Sequence, residues 1–255
     1  MKIKVASKEF QDTLVAISNV FRGGATLKVH KEYIEAIAAS VDNSISICCK
    51  VRILNEEDIN LSNNEEFPLY VADLTKFIKL LAMNESETFE FEVKNNYVYF
   101  KSDKIHGAKF VLDDIPPQKL PVSATSKKFN SLVPKYEVEL SKNQVKEIMQ
   151  AASFADASDK IYFYQKDNAL IAEFNDRTLD NISNISLKVS EEGTGIIEDK
   201  VIIAVDAFNS IITTSPTLKF GVIGIAAKNV KFEALLITIS NNDSYIKYLF
   251  NSKVR

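Results

Sequence analysis

The sequence predicts an α+β fold made of two similar domains, each built from two strand–helix–three-strand units. Three observations carry this. Four amphipathic helix signals recur at even spacing. Paired strand-like runs about a tight polar turn follow each of them. A proline-rich stretch without acids lies between the second and third.

The first helix signal is SKEFQDTLVAISNVF, opening at Ser7, with Phe10, Leu14, Ile17 and Phe21 along one stripe. The short apolar run IKV precedes it. TLKVHKEYIEAIAA, turning at Lys31-Glu32, and SISICCKVRI follow. The second signal is DLTKFIKLLAMN. Asp73 is placed to cap it, and Leu74, Phe77, Ile78 and Leu81 fall at i, i+3, i+4 and i+7. Lys76, Lys79 and Met83 point the other way. FPLYV precedes it, and TFEFEVKNNYVYFK and HGAKFVL follow.

The third signal, SKNQVKEIMQAAS, opens at Ser141, which with Gln144 fits a capping box. Val145, Ile148, Met149 and Ala152 form its apolar stripe. YEVEL precedes it; KIYFYQKDNALIAEF and ISNISLKV follow. The fourth, DAFNSIITTS, opens at Asp206 after VIIAV. It leads into LKFGVIGIAAKNVKFEALLITI and SYIKYLF, and its polar face shows Ser210 and Thr213. The starts at 7, 73, 141 and 206 lie 66, 68 and 65 residues apart, which marks a repeated structural unit. Asn and Asp at the turns tolerate the positive φ of tight hairpins, in a chain with only seven glycines.

IPPQKLPVSATSKKFNSLVPK, residues 115–135, holds four of the six prolines and four lysines, and it breaks every periodic pattern around it. It reads as a connector between an N-terminal domain, 1–114, and a C-terminal domain, 136–255.

Charge and chemistry narrow the function. The net charge is −3 and the pI near 5.6, so any attraction to phosphate must come from charge placed locally. Cys48 and Cys49 are adjacent in a strand-like run, where neighbours point to opposite faces. The expectation is one buried and one partly covered thiol in a reducing compartment. His30 and His106 are far apart and sit in no ligand motif. There is no phosphate-binding glycine loop and no HExxH. Asp113-Asp114 reads as a solvated strand end rather than a metal pair. The sequence nominates no nucleophile–base pair, so an enzyme, a metal and a cofactor are not expected. MKIKVASKEF has no apolar core of a leader, and no run approaches a membrane span, so the chain reads as intracellular, in a host cytoplasm if viral.

This layout resembles the DNA sliding clamps, those of tailed bacteriophages and proliferating cell nuclear antigen above all. VADLTKFIKLLAMNESETFEFEVKNNYVYFKSD is similar to the second half of a phage clamp's first domain, and AAKNVKFEALLITISNNDSYIKYLF to the end of the second. The resemblance implies the DNA clamp fold, with helices on the inner face of a ring and sheets outside. It implies a homotrimer that encircles duplex DNA, tethers a replicative polymerase as its processivity factor and is placed by an ATP-dependent clamp loader. Lys8, Arg22, Lys76, Lys79, Lys142 and Lys146 would then face DNA. A partner peptide would enter a pocket at Leu120 and Val122 in the connector with Leu249 and Phe250 near the C-terminus. Subunits would meet through Gly107, Ala108, Phe110 and Leu112 on one side and Ile182, Ile185, Leu187 and Val189 on the other. Two alternatives share the composition: a monomeric processivity subunit holding DNA on a basic face, and a β-rich scaffold that never meets nucleic acid.

Overall fold

A computed structural model describes residues 1–21, 23–63, 65–94, 96–102, 104–112, 126–154, 159–174, 185–212, 214–227, 230–241 and 243–251. The repeat is present throughout. The first unit is β1 (Lys2–Ala6), α1 (Ser7–Val20), β2 (Ala25–Val29), β3 (Tyr33–Ala39) and β4 (Ile45–Arg52), followed by a 3₁₀ turn at Glu56–Asp58. The second is β5 (Phe67–Val71), α2 (Leu74–Leu81), β6 (Thr88–Lys94), β7 (Tyr97–Phe100) and β8 (Ala108–Val111). The short helix α3 (Ser126–Ser131) lies in the connector, where no helix was expected, and it buries Phe129. The third unit is β9 (Tyr136–Ser141), α4 (Lys142–Phe154), β10 (Lys160–Lys166), β11 (Ala169–Phe174) and β12 (Ile185–Ser190), then a two-residue strand β13 (Thr194–Gly195). The fourth is β14 (Val201–Ala204), α5 (Val205–Asn209), β15 (Thr217–Ala227), β16 (Val230–Asn241) and β17 (Ser244–Phe250).

The chain forms two compact units. One comprises Met1–Ala39, Ile47–Ser126 and Asn241–Ile246; the other Ser40–Ser46, Lys127–Ser240 and Lys247–Arg255. In the first, β1, β6, β7 and β8 form a sheet in that order, and β5, β2, β3 and β4 neighbour one another in a second run. In the other, β12, β11, β10 and β14 form a sheet, and β13, β9, β15, β16 and β17 follow one another. Every hydrogen-bonded strand pair with an assigned register is antiparallel.

The first unit's core is aromatic. Phe10 of α1 stacks on Phe91 at 5.8 Å and meets Phe77 of α2 edge-on at 6.3 Å; Phe77 reaches Phe110 at 4.9 Å. β6 supplies Phe89 and Phe91 two residues apart, on one face of the strand. In the second unit Phe163 bridges Phe208 and Phe220, at 5.6 and 5.0 Å.

Several local expectations need correction. Ser7 does not cap α1; Ala6 does, with no side-chain bond, and Ser7 Oγ donates to the Ser86 carbonyl at 2.7 Å instead. Asp206 does not cap α5 either, because the helix begins at Val205 behind Ala204. Phe21 is only half-buried at the end of α1, and Met149 is half-buried on α4. Cys48 and Cys49 are both fully buried, because β4 is covered on both faces; burial pushes the Cys49 thiol well above its ordinary pKa. The β10–β11 turn is as expected: Asp167 and Asn168 both take positive φ, 50° and 65°. Lys31-Glu32 turns without it, closed by the His30 N–H donating to the Tyr33 carbonyl at 2.8 Å. Lys228-Asn229 lies outside the described residues, as do Asp113-Asp114.

Candidate functional site

The helices divide their faces sharply. α2 buries Leu74, Phe77 and Leu81 and exposes Lys76 and Lys79. Asp73 Oδ1 accepts the Lys76 backbone N–H at 2.8 Å, which fixes the start of the helix and the direction of its polar face. α1 buries Phe10, Thr13, Leu14, Ala16, Ile17 and Val20, and Lys8 and Asn19 stay exposed. Its acid Glu9 is occupied: Asn241 Nδ2 donates to one carboxylate oxygen at 2.7 Å and Ser244 Oγ to the other at 2.6 Å. On α4 Lys146 and Glu147 are exposed and Lys142 is half-buried in the first turn. The Ser141–Gln144 capping box forms, at 2.8 and 3.3 Å. Ser210, expected on the polar face of the fourth helix, is buried and donates to the Ala207 carbonyl at 2.6 Å. Arg22 and Thr213 lie outside the described residues.

Many cations of the strands and loops are spoken for, whereas the described lysines of α1, α2 and α4 are not. Lys28 pairs with Glu66 at 2.8 Å, Arg52 with Asp243 at 2.6 Å, Lys94 with Glu92 at 3.1 Å, Lys200 with Glu173 at 2.8 Å and Lys219 with Glu137 at 3.6 Å. Among the described residues Lys8, Lys76, Lys79, Lys142 and Lys146 have no such partner. Their charge is left to solvent or to an anionic ligand.

Two sheets end on open strands at the places expected to join subunits. β8 is the terminal strand beyond β7, and β12 the terminal strand beyond β11. Gly107 and Leu112 flank β8. Ala108 is half-buried, whereas Phe110 points into the core. On β12 Ile185 and Leu187 are half-buried and Val189 is buried. Ile182 lies outside the described residues.

The expected peptide pocket is only partly visible, since Leu120 and Val122 lie outside the described residues. Phe250 is fully buried and stacks near Tyr248 at 6.1 Å, so of the two C-terminal candidates only Leu249, on the opposite face of β17, meets the other side of the sheet. Leu249 packs with Leu132 and Ile225 on a buried patch of Ile223, Ala234 and Leu236. Beside it opens a cavity of about 230 Å³ lined by Lys135, Glu198, Asp199, Ile225, Phe232 and Glu233. Burial works against the Lys135 ammonium, yet hydrogen bonds from it to Glu233 and Glu198 hold its pKa above the usual lysine value.

No family model and no curated protein sequence matches the chain. Solved structures do. Proliferating cellular nuclear antigen from Entamoeba histolytica superposes with a TM-score of 0.73 at 11% identity, over 99% of this chain and 98% of that one. A. fulgidus PCNA, solved with the C-terminal region of FEN-1 bound to it, gives 0.72 at 12%, over 100% and 98%. PCNA from Thermococcus kodakaraensis gives 0.70 at 18%, over 99% of each chain. The chain has the sliding-clamp fold. The α+β architecture of doubled units expected from the repeat is thereby shown.

Within this clamp fold, sequence reasoning missed Leu132, Ile225 and Glu233. A signal existed for Ile225, though not for Leu132, which lies in the connector and in neither strand run. The runs GVIGIAA and EALLITI are apolar at odd and even positions alike, the mark of strands covered on both faces. Glu233, buried within such a run, gives no sign of its partners, because Lys135 and Glu198 are distant in sequence.

Proposed function

We propose that the chain is the subunit of a homotrimeric sliding clamp that encircles duplex DNA and tethers the replicative polymerase, without catalysing a reaction itself. The observation that carries this is the charge contrast within the clamp fold. Lysines of α1, α2 and α4 are unneutralised, whereas many of the sheet cations are paired with carboxylates. Loose phosphate contacts carry no sequence information, so a ring lined by such lysines holds DNA and still slides. Closure supplies retention: a ring leaves DNA only at an end or by opening, which is the work of an ATP-driven loader. The open edges β8 and β12 are the surfaces that pair between subunits, since a closed ring of such pairs leaves no free edge. Arg22 and Ile182 belong to the lining and the seam, respectively. Leu120, Val122 and Leu249 belong to a docking site for a partner's tail. The FEN-1 C-terminal region bound to A. fulgidus PCNA is a precedent for tail docking on this fold.

The ring is tested by closing it. Lys109 and Val111 on β8 and Ser186 and Lys188 on β12 are exposed, and the native cysteines are buried. Cysteine pairs at one position from each edge should include at least one that oxidises to a detergent-resistant trimer, three times the 28.6 kDa subunit. Such a trimer, closed around nicked circular DNA, should stay on it in high salt and be lost when the DNA is linearised. Light scattering that shows only monomer at high concentration, with no pair cross-linking, would favour the monomeric processivity subunit.

A further inference from the structure

We infer that the cavity beside Leu249 is a receptor for a cationic side chain, lysine or arginine, carried by the peptide that docks on this face; the inference rests on the docking reading above. Glu233 is the reason. Its side chain is only 5% exposed, and it lines the cavity from within the apolar strand β16. One carboxylate oxygen is fully used: Oε1 accepts from Lys135 Nζ and from the Glu198 backbone N–H, the latter at 3.1 Å. The other, Oε2, is buried and has no hydrogen-bond partner. A buried carboxylate oxygen without a donor is costly, and a donor reaching it gains more than at the surface.

The surrounding charge calls for a cation rather than a neutral donor. Three carboxylates, Glu198, Asp199 and Glu233, line the cavity against the single ammonium of Lys135. That ammonium already divides itself between Glu233 and Glu198. A volume near 230 Å³ equals the liquid share of roughly eight waters, enough for a long side chain but not for a helix or strand. Two exposed apolar residues lie two positions along the chain from lining residues: Val133, 80% accessible, before Lys135, and Ile196, 66% accessible, before Glu198, with the Ile196 backbone N–H donating to the Lys135 carbonyl. The ligand chemistry is therefore an extended peptide with one basic residue flanked by apolar ones. The three carboxylates are not gathered as metal ligands: among the described residues no group of three or more His, Cys, Asp or Glu side chains is placed to hold a metal ion.

The test uses the whole chain and a phage-displayed library of random dodecapeptides, selected at low salt. Wild-type protein should enrich peptides with a lysine or arginine at a fixed distance from apolar residues, and binding should be lost in Val133→Asp, which alters only an exposed position. Synthetic versions of the enriched peptides should bind Glu233→Gln about tenfold more weakly, the loss of one charge-assisted hydrogen bond. Replacing their basic residue with glutamine should weaken wild-type binding to the same degree and leave Glu233→Gln indifferent. Glu198→Gln, at a largely exposed position, gives a second removal of charge should the first variant fold poorly. Peptides that dock on this face with no basic preference would overturn the inference and leave the docking reading intact. Failure to enrich any peptide sensitive to Val133→Asp would overturn both.

Discussion

Helices α2 and α5 hold the same place in their units and have diverged in everything but packing. α2 runs eight residues, is capped by its own Asp73 and exposes Lys76 and Lys79. α5 runs five, has no side-chain cap and exposes Asp206 and Asn209. Both bury one phenylalanine: Phe77 against Phe10 and Phe110, Phe208 against Phe163. The fold therefore requires the aromatic plug and not the helix length or the surface charge. What the fold does not require is open to selection for something outside the chain, and the exposed lysines of α2 are of that kind.

The largest expected effect falls on the shared feature. Phe77→Ala and Phe208→Ala should each lower stability by about 3–5 kcal/mol, read by chemical denaturation. A much smaller loss at Phe208 would show that α5 is not held by its plug and would break the equivalence. The next concerns the difference. Lys76→Ala with Lys79→Ala should leave folding and oligomeric mass unchanged while lowering the salt slope of DNA binding by about one to two, at roughly 0.9 per phosphate contact. Lys94→Ala with Lys166→Ala, on hairpins, should leave the slope alone; equal weakening would point to a diffuse basic surface instead. Asp206→Lys should strengthen DNA retention if α5 also faces the duplex, and no change would confine the contact to other helices. The smallest effect is at the caps. Asp73→Ala should cost about 1 kcal/mol, and Asp206→Ala, which breaks no cap, less than half of that in the same denaturation experiment.

Much of this was legible in the letters. The four evenly spaced helix starts, the strand runs and the apolar stripes are local and periodic, and a strand or helix shows its buried face as a period of two or 3.6. The lysines of α2 were legible for the same reason: opposite an apolar stripe there is only an outward face. The connector helix α3 was not, because Ser126–Ser131 has one buried residue, Phe129, and no period to display. Burial of both cysteines was not, because coverage of the second face of β4 comes from elsewhere in the fold.

The start of each helix separates the two kinds of information most clearly. Sequence alone placed a capping side chain at all four, and at Asp73 and Ser141 the side chain does the work. At the others the chain passes straight from strand to helix behind an alanine, Ala6 or Ala204. There the first helical N–H finds a backbone carbonyl from the loop before a neighbouring strand. Ser7 donates to Glu87 at 2.8 Å and Val205 to Asp159 at 3.0 Å, and Lys142 of the capped α4 likewise donates to Pro216 at 2.8 Å. Sequence determined that a helix begins near each of these positions, since an apolar stripe needs a helix to display it. The tertiary structure decided which oxygen satisfies the exposed N–H, because a backbone carbonyl carries no residue identity and can be supplied from any part of the chain brought within reach.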